Sequence, residues 1–297
     1  MSRPARPRGA RPRDVVWLDD RLVPAARATL SVYDRGFLYG DAVFETVRAY
    51  DGQLFLWERH ARRLAASLRA FAITAPDTDL AAAARAVLAA RGLADGALRV
   101  TVSRGSGEGL VPSRTLRPTL VVTAREVPSE LPELRAQGVR VLLLPFGRGH
   151  GAVTDGHKTN AYLPAVVGKT RAAAQGAFEG LYVERDGTIS EGTTSNVFAL
   201  RGDRLLTPSL DAGCLPGVTR QTVLALARQA GLVCETTSLT AAQLHEQDEV
   251  FLTASTIEVM PVVRIGRRQV GDGRPGPRTR LLQERYRALV ARTLARR

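Results

Sequence analysis

Apolar and polar residues alternate through "VVWLDDRLVP", residues 15–24, and the alternation turns at Asp19-Asp20, which predicts a short hairpin. "AVFETVRAYDGQLFLW" reads as two strands around Asp51-Gly52, a dipeptide suited to a tight hairpin turn. The period then lengthens to that of a helix in "ERHARRLAASLRAFAI" and in "DLAAAARAVLAARG", which Gly92 closes. Strand alternation returns in "ALRVTVSRG" and "RPTLVVTARE". These elements have the order of a small α+β domain over residues 14–125. "VPSELPELRAQG", with two prolines and mixed charge, marks a linker near 126–136.

A second and larger domain is expected over 137–297. It opens with the strand "VRVLLLPF", a glycine-rich loop and the helix "YLPAVVGKTRAAAQG". "GLYVERDGTISEG" and "NVFALRGDRLLTP" each read as two strands about a turn, and "GVTRQTVLALARQAG" is an amphipathic helix bounded by Gly217 and Gly231. "DEVFLTASTIEVMPVVRI" gives two more strands interrupted by the polar turn "TAST". The whole is an α/β fold in two domains, with no internal repeat.

Composition changes this picture little. Hydrophobic residues are 44% of the 297 and charged residues 24%, ordinary for a globular enzyme. The net charge of +13 resembles a nucleic-acid signal until it is located: the first fourteen residues hold five arginines and one aspartate. Residues 1–13, arginine and proline without apolar partners, are expected to be a disordered basic tail, neither signal nor anchor. A solvated tail outranks an arm for polyanions, because the basic residues lack the aromatic interleaving of a single-strand platform. Two cysteines, Cys214 and Cys234, and four scattered histidines, His60, His150, His157 and His245, support neither a disulfide framework nor a metal site. A cytoplasmic setting without membrane association is expected.

Charge chemistry carries more. The only lysines are Lys158 and Lys169, while forty other basic side chains are arginine. Arginine stays charged at every accessible pH; lysine can lose its proton and attack a carbonyl. Lys169 falls inside the helix, away from a buried stripe expected at Leu163, Val166, Val167, Thr170 and Ala174, and reads as a solvated surface charge. Lys158 precedes that helix beside Thr159 and Asn160, at a junction that can project into a cleft.

A nucleophilic lysine needs a carbonyl. Pyridoxal phosphate would require, besides the lysine, a charged partner for its pyridine nitrogen and a cup for its phosphate. Glu191, where alternation breaks in "TISEGTTSNVF", is either that partner or an ordinary turn carboxylate. The start of "LPGVTRQTVLALA" leaves the amides of Val218 and Thr219 either pointing at an anion or capped by Thr219 itself. Ser255 in "TAST" offers a further hydroxyl, and Arg63 the forked geometry that phosphate favours.

In this order and spacing, "SVYDRGFLYGDAVFETVRAYDG", "ERHARRL", "HKTNAYL", "GTISEGTTSNVFAL", "TPSLDAGCLPGVTR" and "DEVFLTASTIEVMPV" resemble the class IV, or fold type IV, pyridoxal-phosphate aminotransferase family. That family includes branched-chain and D-amino acid aminotransferases and 4-amino-4-deoxychorismate lyases, and the resemblance runs from about Val15 to about Arg280. It implies two domains with the cofactor at their interface, in a homodimer. By position Lys158 matches the aldimine lysine that also moves the substrate proton, Glu191 the partner of the pyridine nitrogen, and Arg63 the phosphate arginine. His60 reads as structural. Leu215 matches the side chain on the ring, Gly217, Val218, Thr219 and Ser255 the phosphate cup, and Thr194, Ser195 and Asn196 its neighbours.

Tyr39, Phe44, Arg48, Arg99 and Thr256 match positions that line the substrate pocket of the branched-chain enzymes, which implies an amino acid with an apolar side chain and a 2-oxo acid as the two substrates. "GSGEGLVPSR" lacks the Arg-x-His carboxylate trap of bacillary D-amino acid aminotransferases. The branched-chain enzymes have one more residue between the lysine and the following tyrosine, which leaves the role of Tyr162 open. Lyase sequences share "LYGDAVFETVR" and "TPSLDAGCLPGVTR", so the resemblance implies a transaminase first and the lyase, releasing pyruvate and 4-aminobenzoate, as the alternative.

Overall fold

The computed structural model describes residues 14–113, 115–148 and 151–295, so the basic tail 1–13 and His150 lie outside the described residues. The chain divides into two compact units, Met1–Val127 and Pro128–Arg297.

In the first unit the chain runs through β1 (Val15–Leu18), β2 (Arg21–Pro24), α1 (Arg35–Leu38), β3 (Ala42–Tyr50), β4 (Gln53–Leu54), α2 (Trp57–Ala70), α3 (Leu80–Arg91), β5 (Gly96–Ser103) and β6 (Thr119–Arg125). They form a six-stranded sheet in the order β2-β1-β6-β5-β3-β4. Both expected hairpins are present: Leu18 faces Arg21 across the Asp19-Asp20 turn, and Tyr50 faces Gln53 across Asp51-Gly52. Asp79 caps α3 by accepting from the amides of Ala81 and Ala82, and Gly92 ends it in the left-handed region. Side chains alternate along β3, so Val43, Val47 and Ala49 pack with Leu98, Val100 and Val102 of β5 beneath Leu64, Leu68, Val87 and Leu88 of the helices. Each of these valines and leucines contributes about 1.5–3 kcal/mol by leaving water. Phe44, Thr46 and Arg48 take the opposite face.

The second unit comprises α4 (Leu131–Gln137), β7 (Val139–Leu144), α5 (Leu163–Ala174), β8 (Glu179–Val183), β9 (Ile189–Gly192), β10 (Asn196–Arg201), β11 (Arg204–Pro208), α6 (Val218–Gln229), β12 (Val233–Thr237), α7 (Ala241–His245), β13 (Glu249–Ala254), β14 (Glu258–Ile265), β15 (Arg268–Gln269) and α8 (Pro277–Leu294). The main path of the sheet is β12-β11-β10-β13-β14-β7-β8-β9, and β15 pairs with β14. The stacked rings of Phe198 and Phe251, 4.8 Å apart, sit in its core.

Three features depart from the sequence reading. The stretch read as linker holds α4, whose Pro132 lies in the first turn, where a missing N–H costs nothing. α8 was not anticipated because no local residue caps it: the carboxylate of Glu249, on β13, accepts from the amides of Arg278 and Thr279 at 2.9 and 2.7 Å. On α5 the expected stripe is the exposed one, with Leu163 at 72% and Val166 at 54% exposure. Small residues, Ala165, Gly168 and Ala172, face the sheet instead. That rotation turns Lys169 inward. The side chain stays 41% exposed, but its charge is paired as well as solvated: Nζ donates to Phe178 O at 2.5 Å and lies 3.5 Å from Glu179, a wholly buried carboxylate.

Candidate active site

Glu191, on β9, is buried beneath the loop that leads into α6. The Leu215 amide donates to its Oε2 at 2.9 Å, Asn196 Nδ2 lies 3.4 Å from the same oxygen, and Arg148 pairs with Oε1. Burial pushes the Glu191 carboxyl above the usual carboxylate range, while Arg148, the Leu215 N–H and the charge of Lys158 pull the other way. Lys158 therefore stands within electrostatic reach of Glu191, as expected for a shared site. Its Nζ is 5.8 Å from the ring centroid of Tyr162, the residue at the start of α5. Tyr182 lies close by and its hydroxyl is pushed well above the usual range, first by burial and then by Glu191, with Arg148 opposing.

Asn196 links this carboxylate to α6. Its Nδ2 donates to Leu215 O at 2.8 Å, and a Cβ on Gly217 would come within 2.0 Å of its Oδ1, so any larger residue here would displace the Asn196 amide. Gly217 then caps α6 without a side chain, and no side-chain oxygen caps the first turn. The alternative in which Thr219 caps the helix is thereby excluded. Arg220, in the same turn, is buried with neutral partners: it donates to Pro208 O at 2.9 Å and to Thr207 Oγ1 at 3.4 Å. Uncapped amides and a buried guanidinium without a carboxylate favour an anion. Ser255 and Thr256 occupy the turn after β13, followed by Glu258 in the left-handed region at φ 59°, a strained conformation for a side chain of that size.

Thr194 and Ser195 are placed differently from Asn196. With Thr193 they donate their hydroxyls to Glu179, Thr194 at 2.7 Å and Ser195 at 3.3 Å. Glu179 thus shapes the turn between β9 and β10 that fixes Glu191 at one end and Asn196 at the other. The sequence signal for it was weak, a single glutamate before "GLYV".

The site residues expected in the first unit are described within that unit. Arg63 forms a forked pair with Glu45, Nε to Oε1 and Nη2 to Oε2, both at 2.7 Å, and His60 Nδ1 meets Oε2 at 2.8 Å. Burial would raise the Glu45 carboxyl, but Arg63 and His60 together hold it at about 2. Arg99 spreads its guanidinium 3.4 Å over the buried Phe44 ring and donates to Thr101 Oγ1 at 3.1 Å. Arg48 is directed along its own sheet: it donates to Ala49 O, to Gly96 O at 3.1 Å and toward Asp95 at 3.4 Å. Tyr39 follows α1, where Arg35 lies 4.9 Å over its ring while binding Asp41 and the carbonyl of Leu110.

Residues 42–265 match the family model described as amino-transferase class IV. A putative branched-chain-amino-acid aminotransferase of Methanocaldococcus jannaschii is 34% identical over 276 residues, covering 91% of this chain and 94% of that one. A D-alanine aminotransferase of Bacillus licheniformis is 32% identical over 278 residues, covering 90% and 94%. The crystal structure of the Escherichia coli branched-chain amino acid aminotransferase superposes with a TM-score of 0.87 at 27% identity, over 93% of this chain and 94% of that one. The architecture is that of the fold type IV pyridoxal-phosphate enzymes. The chain belongs to the class IV aminotransferase family, and it is an aminotransferase.

Family membership implies pyridoxal phosphate, and the residues present fit it. A lysine, a buried carboxylate in electrostatic contact with it, and an uncapped helix start with a buried cation supply one group for each reactive or charged part of the cofactor. Among the described residues no helix is long and apolar enough to cross a membrane.

Proposed function

We propose that this aminotransferase acts on an α-amino acid with an apolar side chain and a 2-oxo acid acceptor, with Lys158, Glu191 and the start of α6 as its working groups. The observation that carries the reading is the convergence of Lys158 and the Leu215–Thr219 segment on one buried carboxylate.

Bound pyridoxal phosphate supplies a carbonyl carbon for the amine and a ring that accepts electrons. Lys158 would hold the cofactor through its ε-amine and would be the base that takes the proton from the substrate α-carbon. Glu191 holds a proton at the pyridine nitrogen. The amides of Val218 and Thr219, with Ser255, bind the phosphate, and Arg63 is assigned to it on the resemblance. Leu215 packs beside the ring and keeps water away. Arg99, Phe44 and Tyr39 are the proposed substrate residues: a guanidinium lying on an aromatic ring suits a carboxylate carried next to an apolar side chain. The likeness to branched-chain amino acid aminotransferases supports the same substrate class.

A homodimer is proposed with it. Leu163, Val166 and Val167 form an exposed apolar face on α5, and Phe37, Leu110 and Val111 another in the first unit, surfaces that a partner of the same chain would cover.

The test is a set of half-reactions. Purified protein loaded with pyridoxal phosphate is mixed with L- and D-amino acids while the visible band is followed. Loss of the band with leucine, isoleucine or valine, restored by a 2-oxo acid, is expected. Failure of every amino acid, with pyruvate released from 4-amino-4-deoxychorismate, would reject the reading in favour of the lyase.

A further inference from the structure

Arg148 was not marked by any sequence motif, yet it is the cation in direct contact with the buried carboxylate of the site. It lies four residues beyond β7, on the loop that leads towards Lys158, and its Nη1 meets Glu191 Oε1 while the Leu215 amide occupies Oε2. The loop is pinned from behind. Glu184, itself buried, accepts from the Arg148 amide at 3.1 Å and from Ser190 Oγ at 2.8 Å. A side chain at Gly147 would strike Glu184, since a Cβ there falls 1.9 Å from its Oε2. Glu184 thus ties Arg148 to the strand that carries Glu191. Two buried carboxylates and one arginine form a unit whose only acidic group turned toward the Leu215 loop is Glu191.

We propose that Arg148 is a positioning residue that, when pyridoxal phosphate is bound, favours the ionised form of Glu191 and with it a protonated pyridine nitrogen. The inference rests on the assignment of Glu191 to that nitrogen. The argument is one of distances. A carboxylate and a ring nitrogen that share one proton can exist as an ion pair or as two neutral groups, and burial favours the neutral pair. Arg148 touches the carboxylate, whereas a cation held beyond that carboxylate is farther from the guanidinium. Attraction to the near charge exceeds repulsion from the far one. The guanidinium thus tips the pair toward carboxylate and pyridinium, the form that draws electrons from the substrate. Other charged groups around Glu191 do not do this work. Lys158 would be committed to the cofactor, Arg220 donates to carbonyl and hydroxyl oxygens, and Cys214 is held neutral, its thiol pushed to about 11 by burial first and Glu191 second.

The experiment is ¹⁵N NMR of pyridoxal phosphate labelled at its ring nitrogen and bound to the full chain. Wild type is expected in the pyridinium range. R148M and R148Q, two charge-removing replacements of different polarity so that a folding failure of one leaves the other to decide, are expected to move toward the neutral-pyridine range. R148K is expected to stay with wild type. The amino-acid half-reaction of R148M and R148Q should slow by about 10- to 100-fold, the scale found when a residue that orients a ligating group is removed. A pyridinium shift that persists in both R148M and R148Q but disappears in E191Q would overturn the role of Arg148 and leave Glu191 in place. A shift that persists in E191Q as well would overturn the assignment of Glu191 and this inference with it.

Discussion

Two buried carboxylates, one in each unit, are shifted in opposite directions. Glu45, on β3, meets the fork of Arg63 and the ring of His60, and its carboxyl is held near 2. Glu191, on β9, has one guanidinium, the Leu215 amide and, at 3.4 Å, Asn196 Nδ2 in contact, and burial prevails. Desolvation alone does not set the protonation of a buried acid; the number of charge-assisted partners does. Glu45 is consequently a fixed charge that locks Arg63 and His60 onto the sheet. Glu191 is shifted upward by its burial, the direction expected of a carboxyl that takes part in proton sharing. Glu179 is a third solution, surrounded by three hydroxyls, its own neighbour's amide and Lys169 at 3.5 Å.

If the Glu191 region is the reactive one, K158A should lower turnover by on the order of 10⁴-fold and remove the cofactor's protein-bound visible band, both read on purified protein. Retention of turnover and colour would end the assignment. E191Q should reduce the half-reaction rate by about 10²- to 10³-fold, the scale of a lost electrostatic contact at a reacting centre.

E191Q also separates the two acids by pH. Because the folded-state value of Glu191 lies above its ordinary 4.5, the folded chain holds a proton that the unfolded chain releases, and this carboxyl lowers stability as pH rises above 4.5. In urea unfolding of cofactor-free protein, E191Q should therefore gain on wild type as pH rises above 4.5. E45Q should do the reverse. The depressed value of Glu45 gives stability that is present above about pH 4.5 and is lost as pH falls toward about 2, so the variant should be about 3 kcal/mol less stable at pH 7 and approach wild type in acid. Equal pH slopes for the two variants would erase the contrast. The smallest effect is expected from K169M, about 1 kcal/mol in the same unfolding assay, since the hydroxyls of Thr193, Thr194 and Ser195 still solvate Glu179.

Much of the fold was legible because its signals are local. The Asp19-Asp20 and Asp51-Gly52 turns, the capped α3 and the alternating strands of both sheets each depend on residues adjacent in sequence. α8 was not legible, because its cap comes from Glu249 on a distant strand. α5 was misread for a related reason: apolar content marked Leu163 and Val166 as core, whereas close approach to the sheet selected alanine and glycine and left the larger side chains outside. In the candidate site, the rarity of lysine and the ordered motifs pointed to Lys158, Glu191 and the start of α6. Arg148, Glu179, Glu184 and Arg220 carried no such signal, since in a chain with forty arginines an individual one is inconspicuous.

The sequence by itself determined the strands and helices, their order, and which residue types could do the chemistry, because periodicity, turns and functional groups are properties of neighbouring residues. Only the tertiary structure decided which carboxylate is fixed and which is poised. That depends on how many cations and donors the fold brings within hydrogen-bonding distance of a buried oxygen, and the cationic side chains, the imidazole and the Leu215 amide that meet Glu45 and Glu191 come from 15 to 43 positions away along the chain.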